Sequence, residues 1–184
     1  MRHVRAPGCP ECGRSDASEV LEVGRLRVVR CPTCSLHYLA SWKDELARWD
    51  ELYAYHANPA AFDVCKGYSD VSRRRQLALL ERFAARVRGR RLLDVGAGRG
   101  QLVHTADTAG WDALGIDLSD DAVSACRAAG LPVEHVDFFA ESLSARRFDV
   151  IVMSEFIEHV ASPGRFFARI EELLAPGEIG RAHV

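Results

Sequence analysis

The run Arg91 to Gly100, RLLDVGAGRG, constrains the fold more than any other stretch of the chain. Leu92, Leu93 and Val95 make a short apolar burst around Asp94, and glycines then follow at alternate positions, Gly96, Gly98 and Gly100. Such a pattern predicts a buried parallel strand that breaks into a tight loop. Lacking a Cβ, the loop residues let a ligand approach the backbone and admit positive φ. Gln101, Leu102, Val103 and His104 open a helical run, so the loop is expected to offer free backbone N–H groups at a helix N-terminus. Strand, loop and helix in this order predict a nucleotide-type site, with a plain strand-to-helix turn as the competing reading.

Spacing separates the ligands. Dinucleotide sites carry GxGxxG and seat a pyrophosphate on the helix N-terminus, whereas this chain has GxGxG with Asp94 just ahead of it. A carboxylate there repels a phosphate and attracts a cation. S-adenosylmethionine carries an ammonium and a sulfonium and no phosphate, and the run resembles motif I of the class I S-adenosylmethionine-dependent methyltransferases. Further on, a second predicted strand, Ala113 to Ile116, ends in Asp117. An acid at that tip can accept from both hydroxyls of a ribose, the alternative being a solvated turn acid. Ser119 or Asp120 is placed to cap the next helix, whose Ala122, Val123, Cys126 and Ala129 recur at helical spacing.

With 184 residues, 48% of them apolar, the chain can bury one compact domain and carry a small appendage. A formal net charge of −2 gives no support to a generic polyanion binder. All but two of the 24 basic residues are arginine, Lys43 and Lys66 being the exceptions, which reads as codon bias. No run is long and apolar enough for a membrane span, and the first residues, MRHVRAPG, have no apolar signal core, so the expected location is the cytoplasm.

Cys9, Cys12, Cys31 and Cys34 form CPEC and CPTC pairs with eighteen residues between them. The spacing predicts a four-thiolate zinc site, with Gly13 permitting the turn that aims backbone N–H groups at sulfur. Val20, Leu21, Val23, Leu26, Val28 and Val29 have strand character about Gly24, so the unit is expected to be a zinc ribbon. Disulfide pairing and redox chemistry are the weaker readings without a secretion signal or a βαβ context. Four thiolates leave no open position on zinc, so its expected role is structural. Arg14, Arg25, Arg27 and Arg30 make either a solvated face or an anion-binding one.

Between ribbon and core, residues 41–70 carry Trp42, Trp49, Tyr53, Tyr55 and Phe62, and read as a short amphipathic helix and a loop. In the resembled family such a segment covers the active site; plain packing competes equally. Val71 to Val87 is predicted as a long helix with Leu77, Leu80, Phe83, Ala84 and Val87 on one stripe, ended by Gly89. Pro132 to Val136 is a third strand and Phe148 to Met153 a fourth, buried one. Pro163 to Leu174 is a further helix, with LLAPG turning toward a fifth strand.

The resemblance implies a role for each site residue. Asp94, Gly96, Ala97, Gly98 and Gly100 would surround the methionine moiety, and Asp117 with Leu118 the ribose. Asp137 would meet the adenine amine, a turn acid being the rival reading, and Phe138 the adenine ring. SEFIEHVASP, Ser154 to Pro163, resembles the segment beside the transferred methyl, which puts Ser154 against the cofactor. Glu158 and His159 share one short helical turn there, and His159 would either take the acceptor's proton or merely cap and pack. His3, His37, His56, His104 and His135 receive no role, and Cys65 and Cys126 read as small buried residues or bystanders.

Glu178 to Val184, EIGRAHV, match the translation of a common sequencing-adapter read, which predicts that the gene was cut and that this tail is not native. The family's seven-stranded sheet, order 3-2-1-4-5-7-6, would then lack its last three strands and leave an apolar edge at Val150 to Met153, giving poor solubility and weak activity. The chain is thus expected to be a Rossmann-like α/β methyltransferase sheet with helices on both faces (71–177), preceded by a zinc ribbon (1–40) and the aromatic linker. S-adenosylmethionine and Zn2+ are the implied cofactors, and the acceptor is a small molecule, of sugar or natural-product type. Its rivals are an RNA methyltransferase that grips nucleic acid with the ribbon, a nicotinamide-dependent enzyme, and a cofactor-binding module without turnover.

Overall fold

The computed structural model describes residues 7–44, 69–160 and 162–176, without the side chain of Glu158. The greater part of the aromatic linker and the adapter-like tail lie outside these residues. Two units are resolved, one of residues 1–56 with 159–166, the other of residues 57–158 with 167–184.

In the first unit, strands β1 (Ser18–Val23), β2 (Leu26–Arg30) and β3 (His37–Leu39) form an antiparallel sheet in that order. Val23 pairs with Leu26, so Gly24 and Arg25 make a two-residue hairpin turn, with Gly24 at φ +59°. Its buried set is small: Cys9, Ala17, Val29, Cys31, Tyr38 and Ala40.

The second unit is an α/β layer structure built on a parallel sheet. Helix α1 (Asp70–Ala84) leads into β4 (Arg91–Val95), followed by α2 (Gln101–Thr108), β5 (Asp112–Asp117), α3 (Asp120–Ala128), β6 (Val133–His135) and β7 (Val150–Val152). Helix α4 (Pro163–Leu173) comes last, its residues from Phe167 on belonging to this unit. The four strands are parallel in the order β6-β5-β4-β7, which places β4, the strand of the glycine loop, inside the sheet.

Side chains alternate across each strand. Leu92, Ala113, Val133, Val150 and Val152 join Leu80 and Phe83 of α1, Val103 and Ala106 of α2 and Val123 of α3 in one core. Leu93 and Ile151, one position out of phase, are fully buried as well, so the sheet is covered on both faces. Of the two caps offered by sequence for α3, Ser119 forms: its Oγ accepts from the Ala122 N–H at 3.2 Å, and Ser69, not singled out in the sequence, caps α1 in the same way from Ser72.

Two element ends differ from expectation. Helix α1 stops at Ala84 and not at Val87, because its last turn tightens and the Arg86 N–H reaches back only to Phe83 O, at 2.8 Å. The fourth core strand is shorter than predicted, because Phe148 turns its backbone to the 173–175 segment. It donates to Leu173 O at 2.9 Å and accepts from the Ala175 N–H at 2.8 Å.

Candidate functional site

The carboxyl ends of β4, β5, β6 and β7 bring together the acids and the glycine loop. Gly96, Gly98 and Gly100 all have positive φ, between +50° and +74°. At Gly100 a second constraint is steric, since a Cβ there would stand 2.7 Å from Leu131 Cδ1 and 3.0 Å from Cys126 Sγ. Cys126 is therefore part of the loop's support, and its Sγ donates to Gly98 O at 3.5 Å. In the sequence it reads as a small buried residue or a bystander; its place under the loop, 28 residues beyond Gly98, has no local signal.

One expectation is corrected. The loop does not hold out a row of free N–H groups, since those of Gly96 and Ala97 both donate to Ile116 O, at 2.9 and 3.0 Å. The Gly98 N–H donates to Asp117 Oδ2 at 2.8 Å, and that of Gly100 to Ala97 O at 2.8 Å. With these four donors taken up internally, beside two carboxylates, the loop is a poorer seat for a phosphate than a row of free N–H groups would be.

Asp94 is 5% exposed within the sheet. Burial first, and the nearby charge of Asp117 second, push its carboxyl up to about 7. Asp117, at the tip of β5, accepts from Gly98 N–H through Oδ2 and from Ser119 N–H through Oδ1, each at 2.8 Å. Those two bonds fix the plane of the carboxylate and still leave a lone pair on each oxygen for hydroxyl donors. Leu118 follows it, 65% exposed, as an apolar side chain at the strand tip.

Just past the tip of β6, Asp137 is exposed and its Oδ1 accepts from the Phe139 N–H at 2.7 Å, a turn bond that occupies one of its two oxygens. Phe138 follows Asp137 directly. Its ring is only 5% exposed and stands edge-on to Phe139 with centroids 5.6 Å apart, so it packs inside the protein. After β7, Ser154 and Glu155 are exposed, and Glu155 has φ +51°. Phe156, which sequence reading passed over, lies against Gly96. Ile157 to His159 form one 3-10 turn, so Glu158 and His159 do share a turn, with His159 half-buried.

In the first unit the four cysteine sulfurs all lie within 4.8 Å of one another, with Cys9 to Cys34 and Cys12 to Cys31 at 3.5 Å. Tetrahedral zinc with Zn–S bonds of about 2.3 Å needs sulfurs roughly 3.8 Å apart, so the set fits that ion. The two pairs are also built alike. Gly13 N–H donates to Cys9 O at 2.8 Å and Ser35 N–H to Cys31 O at 3.0 Å, with Gly13 at φ +75° and Ser35 at +63°. The Cys34 N–H, helped by that of Thr33, draws the Cys31 thiol down to about 6 against the opposing effect of burial.

Comparison with known proteins points the same way. A family model described as a methyltransferase domain matches residues 69–180. A ubiquinone biosynthesis O-methyltransferase of Methylococcus capsulatus is 41% identical over 96 residues, which cover 48% of this chain and 40% of that protein. A protein of the same name from Roseobacter denitrificans is 32% identical over 144 residues, 75% of this chain and 56% of that one. The chain spans about half the length of the curated relatives it matches. Among solved structures, the glycopeptide N-methyltransferase MtfA aligns with 67% of this chain and 57% of its own at 25% identity, with a TM-score of 0.51. The matched stretch holds the glycine loop, Asp117, Asp137 and the turn after β7, and takes in more than half of the residues: the chain belongs to the methyltransferase-domain family.

Proposed function

We propose that this chain binds S-adenosylmethionine and takes part in methyl transfer to a small-molecule acceptor, with a hydroxyl oxygen as the atom methylated. The observation that carries the reading is the pairing of two carboxylates, Asp94 and Asp117, with a glycine loop in which the N–H groups of Gly96, Ala97, Gly98 and Gly100 are already bonded. That arrangement suits a cationic, phosphate-free nucleoside. The O-methyltransferase names of the relatives support oxygen as acceptor.

The bound cofactor supplies a methyl group already activated on a sulfonium. The chain's own contribution is orientation and exclusion of water. Asp94 faces the ammonium, Asp117 holds the ribose hydroxyls and Asp137 accepts from the adenine amine. Phe138, being packed inside, shapes that loop from below. Ser154 and the turn bearing Glu158 and His159 follow β7 directly, and His159 takes the proton from the acceptor hydroxyl. In the first unit Cys9, Cys12, Cys31 and Cys34 hold a structural zinc ion, whose four thiolates leave no position for substrate.

Calorimetry with S-adenosylmethionine, its demethylated product and NAD tests the reading. The first two are expected to bind and NAD to give no heat. Asp117→Ala removes two hydroxyl acceptors and should weaken S-adenosylmethionine by about 10- to 100-fold, in line with lost bonds to a charged group. Binding of NAD without S-adenosylmethionine, or unchanged affinity in the variant, would refute it.

A further inference from the structure

The ring of Phe156 occupies the space that a side chain at position 96 would need. A Cβ built on Gly96 would stand 2.7 Å from Phe156 Cδ2 and 3.3 Å from Cε2. Gly96 is exposed and Phe156 half-buried, so the contact sits at the open carboxyl end of the sheet. Glu155, just before it, has φ +51°, a region that strains a residue bearing a side chain. Strain held at one residue, next to a ring set on the loop, marks a contact that the fold maintains for use.

The order of the strands says what meets the ring. Along β6-β5-β4-β7 the tips present Asp137, Asp117, Gly96 and then Phe156. A nucleoside with its base at Asp137 and its ribose at Asp117 sends its 5′ substituent toward Gly96 and Phe156. In S-adenosylmethionine that substituent begins with the sulfonium. Resting on the cofactor reading above, we infer that the face of Phe156 is the sulfonium-recognising surface of the site, and that it separates the charged cofactor from its neutral product. An aromatic face attracts a cation through its quadrupole and has no such attraction for a thioether. Once the methyl has left, the sulfur is neutral and the ring's hold on it ends, which favours exchange of product for fresh cofactor.

The test is the ratio of affinities for S-adenosylmethionine and its demethylated product, measured by calorimetry on the full chain. Phe156→Leu should lower that ratio about fivefold and Phe156→Trp should keep or raise it, as expected for the order of ring strengths. A series of fluorinated phenylalanines at position 156 drains the ring face at nearly constant shape. It should lower the ratio stepwise, and it covers the case in which Phe156→Leu does not fold. A ratio that stays put across the fluorinated series overturns the inference, whether or not both affinities fall together. If the unaltered chain binds both compounds, that result removes only the role of Phe156; if it binds neither, the cofactor reading fails with it.

Discussion

A carboxyl group buried beside another carboxylate resists ionisation, and a cation that docks on it reverses that preference. Asp94 is in this position, held up at about 7 by burial and by Asp117. Its ordinary value is near 3.9, so folding favours the protonated form. The stability it contributes is complete below about pH 4 and is lost as pH rises through 7. Cofactor binding has the opposite sign, because the ammonium needs the ionised carboxylate. Affinity for S-adenosylmethionine should therefore climb by up to about tenfold per pH unit below 7 and level off above it, with a proton released on binding in the acid range. Asp94→Asn should flatten the profile. Calorimetry from about pH 5.5 to 8, in buffers of different ionisation heat, counts that proton directly. A flat profile in the unaltered chain would show that Asp94 does not face the cofactor's charge.

At the level of elements, the ladder between β4 and β7 is tied at its start by one buried acid. Asp149, 2% exposed, accepts from the backbone N–H of Arg91 at 2.8 Å and from its guanidinium at 2.8 and 3.0 Å. The side-chain bond from Arg91 holds its carboxyl below the usual range. Asp149→Ala leaves the Arg91 N–H without its acceptor at the start of β4. Because the guanidinium is 45% exposed and can rehydrate, the cost should be about 2 kcal/mol and not the larger penalty of a fully buried pair. The depressed carboxyl adds stability above about pH 4 that disappears as pH falls through its folded value, so the gap between variant and parent should close in acid. Urea melts at pH 7 and at pH 3 measure both. The same joint shows what a sequence can and cannot reveal. Strand β4, the loop and Asp117 are legible because each is written in adjacent residues, an apolar run, glycines and an acid at a strand end. The Arg91 to Asp149 bond joins positions 58 apart, and no local pattern announces it. The turn at Glu155 is equally silent, since nothing in SEFIEH marks a left-handed residue. The bonds that occupy the N–H groups of Gly96, Ala97 and Gly98 are unmarked for a related reason: their acceptors, Ile116 O and Asp117, come from the next strand.

On the scale of the whole molecule, the two units differ in what holds each together. The second has a core of large side chains, among them Leu80, Phe83, Leu92, Val103, Trp111 and Val123. Among its described residues the first has a buried cluster of six, two of them cysteines of the sulfur cluster, with Val29 and Tyr38 the bulky members of the rest. So small an apolar set does not offset the entropy of ordering three strands. A structural zinc ion can, with a binding free energy on the order of 10 kcal/mol or more. Removing the proposed zinc should therefore unfold β1 to β3 and leave β4 to β7 in place. Hydrogen exchange before and after treatment with a strong chelator resolves the two sheets separately. Protection should vanish at Val28 and Val29 and persist at Leu93 and Ile151. Over the same treatment Cys9, Cys12, Cys31 and Cys34 should become reactive toward a thiol reagent, while Cys126, fully buried under the glycine loop, stays protected. Persistence of exchange protection in β1 to β3 after the metal is gone would mean that the ribbon folds on its own contacts, and the four sulfurs would then need another explanation.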